Sequence, residues 1–93
     1  MKHTSDKNLK THTFPFAYEN MGVNWSMRLC EFGSYNQKAW LRRYLLQISD
    51  GKRYWNCTSN MVEGLIQLWE ELLQINSIDD MKVAIELYKF EDH

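Results

Sequence analysis

The chain has 93 residues, of which 44% are hydrophobic and 25% are charged, and its net charge at pH 7 is −1. These are ordinary values for a globular protein, and a chain of this length builds one small hydrophobic core. Two cysteines are too few for a disulfide scaffold, and the lack of an apolar run of about eighteen residues argues against a membrane span. The isoelectric point near 6.3 argues against a strongly basic nucleic-acid-binding domain.

The charge is distributed unevenly along the chain. Residues 23–58 carry six Lys or Arg against two acidic residues, whereas residues 59–93 carry two Lys against eight Asp or Glu. Such asymmetry bears on partners and on electrostatic steering, and it says nothing about the fold. No secretory signal pattern opens the sequence, so we expect a cytoplasmic protein.

The first segment, residues 1–13, contains one apolar residue after the initiator methionine, Leu9, and shows no hydrophobic periodicity. Such a segment buries too little surface to offset the entropy of ordering it, so we expect a flexible arm. Residues 14–18 are aromatic-rich and include Pro15, which keeps them out of a central strand. We expect an edge strand or an aromatic anchor here.

A hairpin is predicted in the middle of the chain. Apolar and polar residues alternate over 23–32, which is typical of a half-buried strand. Residues 38–48 fit both a helical stripe and a strand. We favour the strand because Asp50-Gly51 suits a two-residue turn, and because residues 52–57 are short and aromatic, as a returning strand should be.

The last third of the chain contains the clearest helical pattern. Apolar residues recur at spacings of three and four over 58–75. Gly64 lies inside this helix, which predicts close packing against the sheet. Residues 81–90 alternate between apolar and polar side chains, which predicts a final strand. Residues 91–93 are expected to be a tail.

These elements predict a small two-layer α+β domain. An antiparallel sheet, in the chain order β-β-β-α-β, would have one long amphipathic helix on one face. The single domain would span residues 14–90, between the flexible arm 1–13 and the tail 91–93. Pairing about Asp50-Gly51 would place Ile48 opposite Arg53, with one sheet face covered by the helix and the other exposed.

Two surfaces are candidate partner sites. The uncovered sheet face would combine cations with an aromatic ring, and its candidate residues are Arg43, Lys52 and Tyr54. The helix and the segment after it would form an acidic surface. Its candidate residues are Glu63, Glu70, Glu71, Asp79 and Asp80. The plainer interpretation of both groups is that these charges solvate exposed faces.

Catalysis is disfavoured by elimination. His3, His12 and His93 lie in segments expected to be mobile, where a general base or metal ligand is not held in place. Cys30 and Cys57 have no fixed histidine to activate a thiolate, and we expect them to act as small apolar residues. We therefore expect no catalytic residues, no metal and no cofactor.

The sequence thus predicts a small non-catalytic protein-binding module. Inhibitors, immunity proteins and phage-encoded blockers have this size and composition, although this is an analogy and not a motif match. The acidic surface and exposed aromatic residues would contact a larger protein with a basic cleft. The alternative is single-stranded nucleic-acid binding on the uncovered sheet face. Homodimerisation through an edge strand or an aromatic face stays open.

Overall fold

The computed structural model describes residues 3–14, 25–36 and 39–92. These residues form a small α+β domain with one five-stranded antiparallel sheet, in the strand order β1-β2-β3-β4-β5, and two helices. The elements are β1 (His3–Thr13), β2 (Ser26–Asn36), β3 (Ala39–Ser49), β4 (Tyr54–Ser59), α1 (Val62–Leu72), α2 (Ile78–Leu87) and β5 (Glu91–Asp92). The edge strand or anchor expected over 14–18 lies, apart from Phe14, outside the described residues.

The central strands confirm the predicted hairpin. Residues 38–48, which fitted both a helix and a strand, lie mainly in β3, and β3 pairs with β2 on one side and β4 on the other. Met27 faces Ile48 across the β2–β3 pair, and Leu29 faces Leu46. Alternate positions of each strand therefore bring their apolar side chains to one face of the sheet.

The turn between β3 and β4 is centred one residue later than predicted. The Asp50 amide donates to the Arg53 carbonyl at 3.3 Å. The Asp50 Oδ1 atom accepts hydrogen bonds from the amides of Lys52 at 2.9 Å and Arg53 at 2.7 Å. Gly51 has a φ of 96°, which favours glycine at that position. The aspartate side chain thus organises the turn as an acceptor of backbone hydrogen bonds.

This change in the turn moves the strand register. Ile48 faces Trp55 where the sequence predicted Arg53, and Leu46 faces Cys57 where it predicted Trp55. The predicted register was therefore wrong. Because each partner moves by two residues, every side chain keeps its predicted face of the sheet, whereas a one-residue slip would have reversed them all.

The predicted flexible arm is instead strand β1. Its residues pair with β2 from His3, opposite Tyr35, to Thr13, opposite Ser26, with a bulge between Asn8 and Lys10. A polar composition argued for disorder, but the main-chain hydrogen bonds of the ladder do not depend on apolar side chains. Pairing along nearly the whole of β2 orders a segment that has no hydrophobic pattern of its own.

Helix α1 is shorter than the predicted 58–75 and begins without a side-chain cap. The Met61 amide instead donates to the Ser59 hydroxyl at 3.0 Å, just before the helix. Leu65, Trp69 and Leu72 are buried on its inner side. Gly64 lies on the exposed side, and a Cβ there would meet no atom within 4 Å, so the prediction of close packing was wrong.

Most of the predicted strand over 81–90 is helix α2. The Ser77 hydroxyl caps its first turn by accepting a hydrogen bond from the Asp80 amide at 3.2 Å. Met81, Ala84 and Ile85 are buried, at the three-and-four spacing of a helix. The same segment also alternates with a period of two, so its local pattern fits either element. The described part of the chain therefore contains two helices, where the sequence predicted one long helix.

The predicted C-terminal tail takes part in the sheet. Lys89 has a φ of 56°, and the chain turns back there after α2. Glu91 then pairs with Asn56 of β4, and Asp92 pairs with Trp55. This short strand covers part of the β4 edge.

The hydrophobic core joins one face of the sheet to both helices. We call this the covered face. Trp25 stacks on Trp55 with the ring centroids 5.6 Å apart and an interplanar angle of 2°. Phe14, which had no assigned core position, is fully buried, and its amide donates to the Trp25 carbonyl at 3.0 Å. The core residues are Phe14, Trp25, Met27, Leu29, Leu46, Ile48, Leu65, Trp69, Leu72, Met81, Ala84, Ile85 and Phe90.

The helices are short. α1 has 11 residues and α2 has 10, whereas a helix needs about 20 apolar residues to cross a bilayer. Within the described ranges, the chain contains no helix that is long and apolar enough to span a membrane.

Candidate functional site

The face of β1–β4 opposite the covered face is largely polar, and we call it the polar face. Strand pairing arranges its side chains in rows across the sheet, because directly paired residues point to the same side. One row consists of Thr13, Ser26, Ser49 and Tyr54. The next row consists of Thr11, Arg28, Gln47 and Asn56.

Hydrogen bonds connect the second row across three strands and reach β1 through Asn8. The Arg28 Nε donates to Gln47 Oε1 at 2.9 Å, and Gln47 Nε2 donates to Asn56 Oδ1 at 2.8 Å. On the other side, Asn8 Oδ1 accepts from Arg28 Nη1 at 3.4 Å and from the Cys30 thiol at 3.0 Å. These contacts hold the half-buried guanidinium of Arg28 in one orientation.

A cavity of about 650 Å³ lies at the end of the polar face where β1 and β3 finish and β2 and β4 start. Small-molecule sites have volumes of roughly 300–1,000 Å³. Of the lining residues that the structure describes, five carry hydroxyl groups and none is acidic. The residues that line it, among those described, are Thr11, His12, Thr13, Ser26, Met27, Arg28, Gln47, Ser49 and Tyr54.

The three residues predicted for the uncovered sheet face separate in the structure. Tyr54 lines the cavity and is 46% exposed. Arg43 is exposed on the polar face, where its Nη2 donates to the Thr58 hydroxyl at 3.5 Å, but it does not line the cavity. Lys52 lies in the turn after β3 and is exposed.

The sequence reasoning missed Arg28 and Gln47 as members of this site. Side chains alternate between the two faces of a strand, so the pattern over 23–32 places Arg28 on the face opposite its apolar neighbours. Its position on the polar face therefore follows from the sequence. Its pairing with Gln47 depends on the β2–β3 register, which the pattern alone does not provide.

The acidic candidates all lie on the exposed sides of the helices. Glu63, Glu70 and Glu71 belong to α1, whereas Asp79 and Asp80 lie in the first turn of α2. Since residues seven apart share a side of a helix, Glu63 and Glu70 lie together. The carboxylates are thus spread over two helices and do not converge on a single point.

Glu71 has a contact that the others lack in the described part of the chain. Its Oε2 accepts a hydrogen bond from the Tyr88 hydroxyl at 2.6 Å, which joins the end of α1 to the end of α2. This hydrogen bond raises the pKa of Tyr88 above its ordinary value, and desolvation and the Glu71 charge act in the same direction.

Large apolar side chains are also exposed on α2 and just before α1. Val83 is 61% exposed and Leu87 is 68% exposed, and their spacing of four places them on one side of α2. Met61, just before α1, is 67% exposed. We give the name helical surface to a set of exposed apolar and acidic residues of this region, which are interspersed with other exposed residues such as Gln67 and Lys82. It comprises Met61, Glu63, Ile66, Glu70, Glu71, Asp79, Asp80, Val83 and Leu87.

The two cysteines lie on different strands and do not form a disulfide with each other. β3 separates Cys30 of β2 from Cys57 of β4, so they are not paired across adjacent strands. Burial raises the pKa of the Cys57 thiol, and the negative charge of Glu91 raises it further, so Cys57 is less nucleophilic at neutral pH than an ordinary thiol.

The expectation that His12 lies in a mobile segment was wrong. It is part of β1, and its ring meets that of Phe14 edge-on with centroids 4.8 Å apart. His3 begins the same strand, and His93 lies outside the described residues. In residues 3–14, 25–36 and 39–92, no three His, Cys, Asp or Glu side chains are grouped so that they could hold a metal ion.

Comparison of the chain with protein-family models, curated proteins and solved structures finds no match.

Proposed function

We propose that the protein is a small non-catalytic binding module that docks on a larger protein through its helical surface. One observation carries this proposal. Met61, Val83 and Leu87 are each more than half exposed in the segment 60–90, where six exposed residues are acidic and two are basic. Apolar anchors surrounded by polar and charged residues have the composition of a protein interface.

The apolar and acidic residues would have different roles in binding. Covering Val83 and Leu87 removes apolar surface from water, which contributes roughly 25 cal/mol per Å² of affinity before the costs of association. The carboxylates would steer the encounter, because residues 59–93 carry eight acidic side chains against two Lys. The partner that fits this surface is a larger protein with a basic cleft.

Binding in such a cleft would block it, as inhibitors and immunity-type proteins do. The helical surface is built on two helices that share the core, so we expect it to enter a concave site with little rearrangement. The partner's own anionic ligand would compete for the same cations. We therefore propose an inhibitory mode of action.

The experiment is affinity purification from extracts of the source cells with tagged wild-type protein and two variants. Val83→Ser with Leu87→Ser removes the exposed apolar anchors, and Glu63→Lys with Glu70→Lys reverses two carboxylates on one side of α1. Arg43→Gln, an exposed change on the polar face, is the control. Circular dichroism and thermal unfolding establish that each variant is folded.

We expect the wild type and the Arg43→Gln control to retain one partner in stoichiometric amount. Both helical-surface variants should lose it, and the affinity should fall as salt rises, because exposed charges are screened. A partner that binds both folded helical-surface variants as tightly as the wild type would remove this surface from the interface.

A further inference from the structure

The polar-face cavity is a second candidate site, independent of the helical surface. We infer that it binds a nucleotide, with the phosphate at Arg28 and the base against Tyr54. The nucleotide is either a free mononucleotide or one residue of a single-stranded nucleic acid, and both present the same chemistry. The inference deepens the sequence-based alternative of nucleic-acid binding and adds the residues that would carry it.

Arg28 is prepared to bind an anion. A guanidinium has five N–H groups, and the described contacts use one on Nε and one on Nη1. Gln47 and Asn8 fix the plane of the group, so little side-chain entropy is lost when a ligand binds. None of the described residues that line the cavity is acidic.

The residues around Arg28 favour a phosphate over a carboxylate. Thr11 is the direct cross-strand neighbour of Arg28 on β1, so their Cβ atoms are about 5 Å apart. Ser26 and Thr13 form the neighbouring pair on the same face, two residues along the strands. Several hydroxyl groups therefore lie on the same face as one guanidinium, which suits the multiple oxygens of a phosphate better than the two oxygens of a carboxylate.

Tyr54 provides the surface for a planar group. It begins β4, two strands away from Arg28 on β2, which corresponds to a spacing of about 10 Å across the sheet. Tyr54 is 46% exposed and lines the same cavity. Stacking on an exposed aromatic ring stabilises any of the bases, because every base has a planar face. Exposed Lys52 in the adjacent turn adds positive charge nearby.

The test is isothermal titration of the full chain with four probes. They are adenosine 5′-monophosphate, adenosine, inorganic phosphate and a short single-stranded oligodeoxyadenylate. The wild type is compared with Arg28→Gln, Tyr54→Ala and the matched control Arg43→Gln, which removes a cation from the same face outside the cavity. Amide chemical shifts of Thr11, Thr13, Ser26 and Gln47 report where each probe binds.

We expect the mononucleotide or the oligonucleotide to bind more tightly than adenosine or phosphate. Arg28→Gln should weaken that binding about tenfold or more, because it removes charge-assisted hydrogen bonds. Tyr54→Ala should weaken it about fivefold or more through lost stacking, and Arg43→Gln should change it less than about twofold. Preference for the mononucleotide identifies a free ligand, and preference for the oligonucleotide identifies a nucleic-acid strand.

Three outcomes would overturn the inference. They are no binding of either nucleotide probe, binding that responds equally to Arg28→Gln and Arg43→Gln, and shifts confined to residues outside the cavity. If Arg28→Gln does not fold, the binding measured with Tyr54→Ala tests the inference. This variant is expected to fold, because Tyr54 is half-exposed and does not belong to the core. None of these measurements involves the helical surface, so failure here leaves the proposed protein-binding function standing.

Discussion

The two faces of the sheet are built from the same strands and stabilised by different physical interactions. On β3, Leu46 and Ile48 are fully buried in the hydrophobic core, whereas Gln47 between them is 8% exposed on the other face. The covered face excludes water by close packing of apolar side chains. The polar face buries the side-chain amide of Gln47, whose oxygen accepts a hydrogen bond from Arg28 and whose nitrogen donates one to Asn56. Burial alone therefore does not distinguish core from site.

This contrast bears on where function can reside. The covered face is committed to stability, because its residues contact one another and both helices. The polar face retains donors beyond those used in its own hydrogen-bond network, and the helical surface retains exposed apolar side chains. The following substitutions test the contrast, beginning with the largest expected effect.

Trp69→Ala should lower the free energy of unfolding by about 3–5 kcal/mol, because it removes a large side chain that is 4% exposed in the core of the covered face. Urea unfolding followed by circular dichroism measures the change. Ile66→Ala, on the same helix but 36% exposed, is the control and should cost much less. A Trp69→Ala loss below about 1 kcal/mol would contradict a central role in packing.

Gln47→Ala should lower the free energy of unfolding by about 1–3 kcal/mol, since it leaves Arg28 and Asn56 without the partner that each contacts now. Chemical denaturation provides the value. Arg43→Ala, whose one described contact is a 3.5 Å hydrogen bond at an exposed position, should stay within about 0.5 kcal/mol of wild type. Equal effects of the two changes would mean that the network does not stabilise the polar face.

Gly64→Ala should raise the free energy of unfolding by roughly 0.5–1 kcal/mol, because alanine restricts the unfolded chain and favours the helix. A Cβ at this position meets nothing within 4 Å, so no clash offsets the gain. The midpoint of thermal unfolding should rise accordingly. A lower midpoint would show that the outer side of α1 is more crowded than the structure shows.

The smallest expected effect concerns pH and the link between the helices. The pKa of Tyr88 is raised in the folded state from 10.0 by its hydrogen bond to Glu71, so the contact stabilises the protein below pH 10.0. That stability is lost as pH rises through the folded-state pKa, where the phenolate faces a carboxylate. Ultraviolet titration of the phenolate measures the shift. Glu71→Gln should bring the pKa of Tyr88 back towards its ordinary value, and an unchanged titration would exclude Glu71 as its cause.

Helices α1 and α2 show when a local hydrophobic pattern is enough to assign secondary structure. In α1, apolar residues recur at three and four over three turns, and no strand arrangement gives them a common face. In α2, Met81, Val83 and Ile85 alternate, so a strand would place them together. The helix instead buries Met81 with Ala84 and leaves Val83 exposed. Short segments that fit both periods are decided by tertiary contacts.

The two candidate sites also differ in how far local sequence patterns predict them. Exposure of Glu63 and Glu70 follows from their position opposite the apolar stripe of a helix, so the sequence predicted it. The cluster of Arg28 with Gln47 and Asn8 joins three strands. It depends on the register of two strand pairs and on a bulge in β1, and no local pattern encodes either.

By itself, the sequence determined the β3–β4 hairpin, the helix α1 and the face on which each central side chain lies. These features depend on interactions between residues close in the chain and on a period of two or 3.6. The tertiary structure alone decided that β1 is ordered, that α2 is a helix and that the polar face has a cavity. Each of these depends on backbone pairing or packing between segments distant in the chain, whose free energy no short stretch of sequence contains.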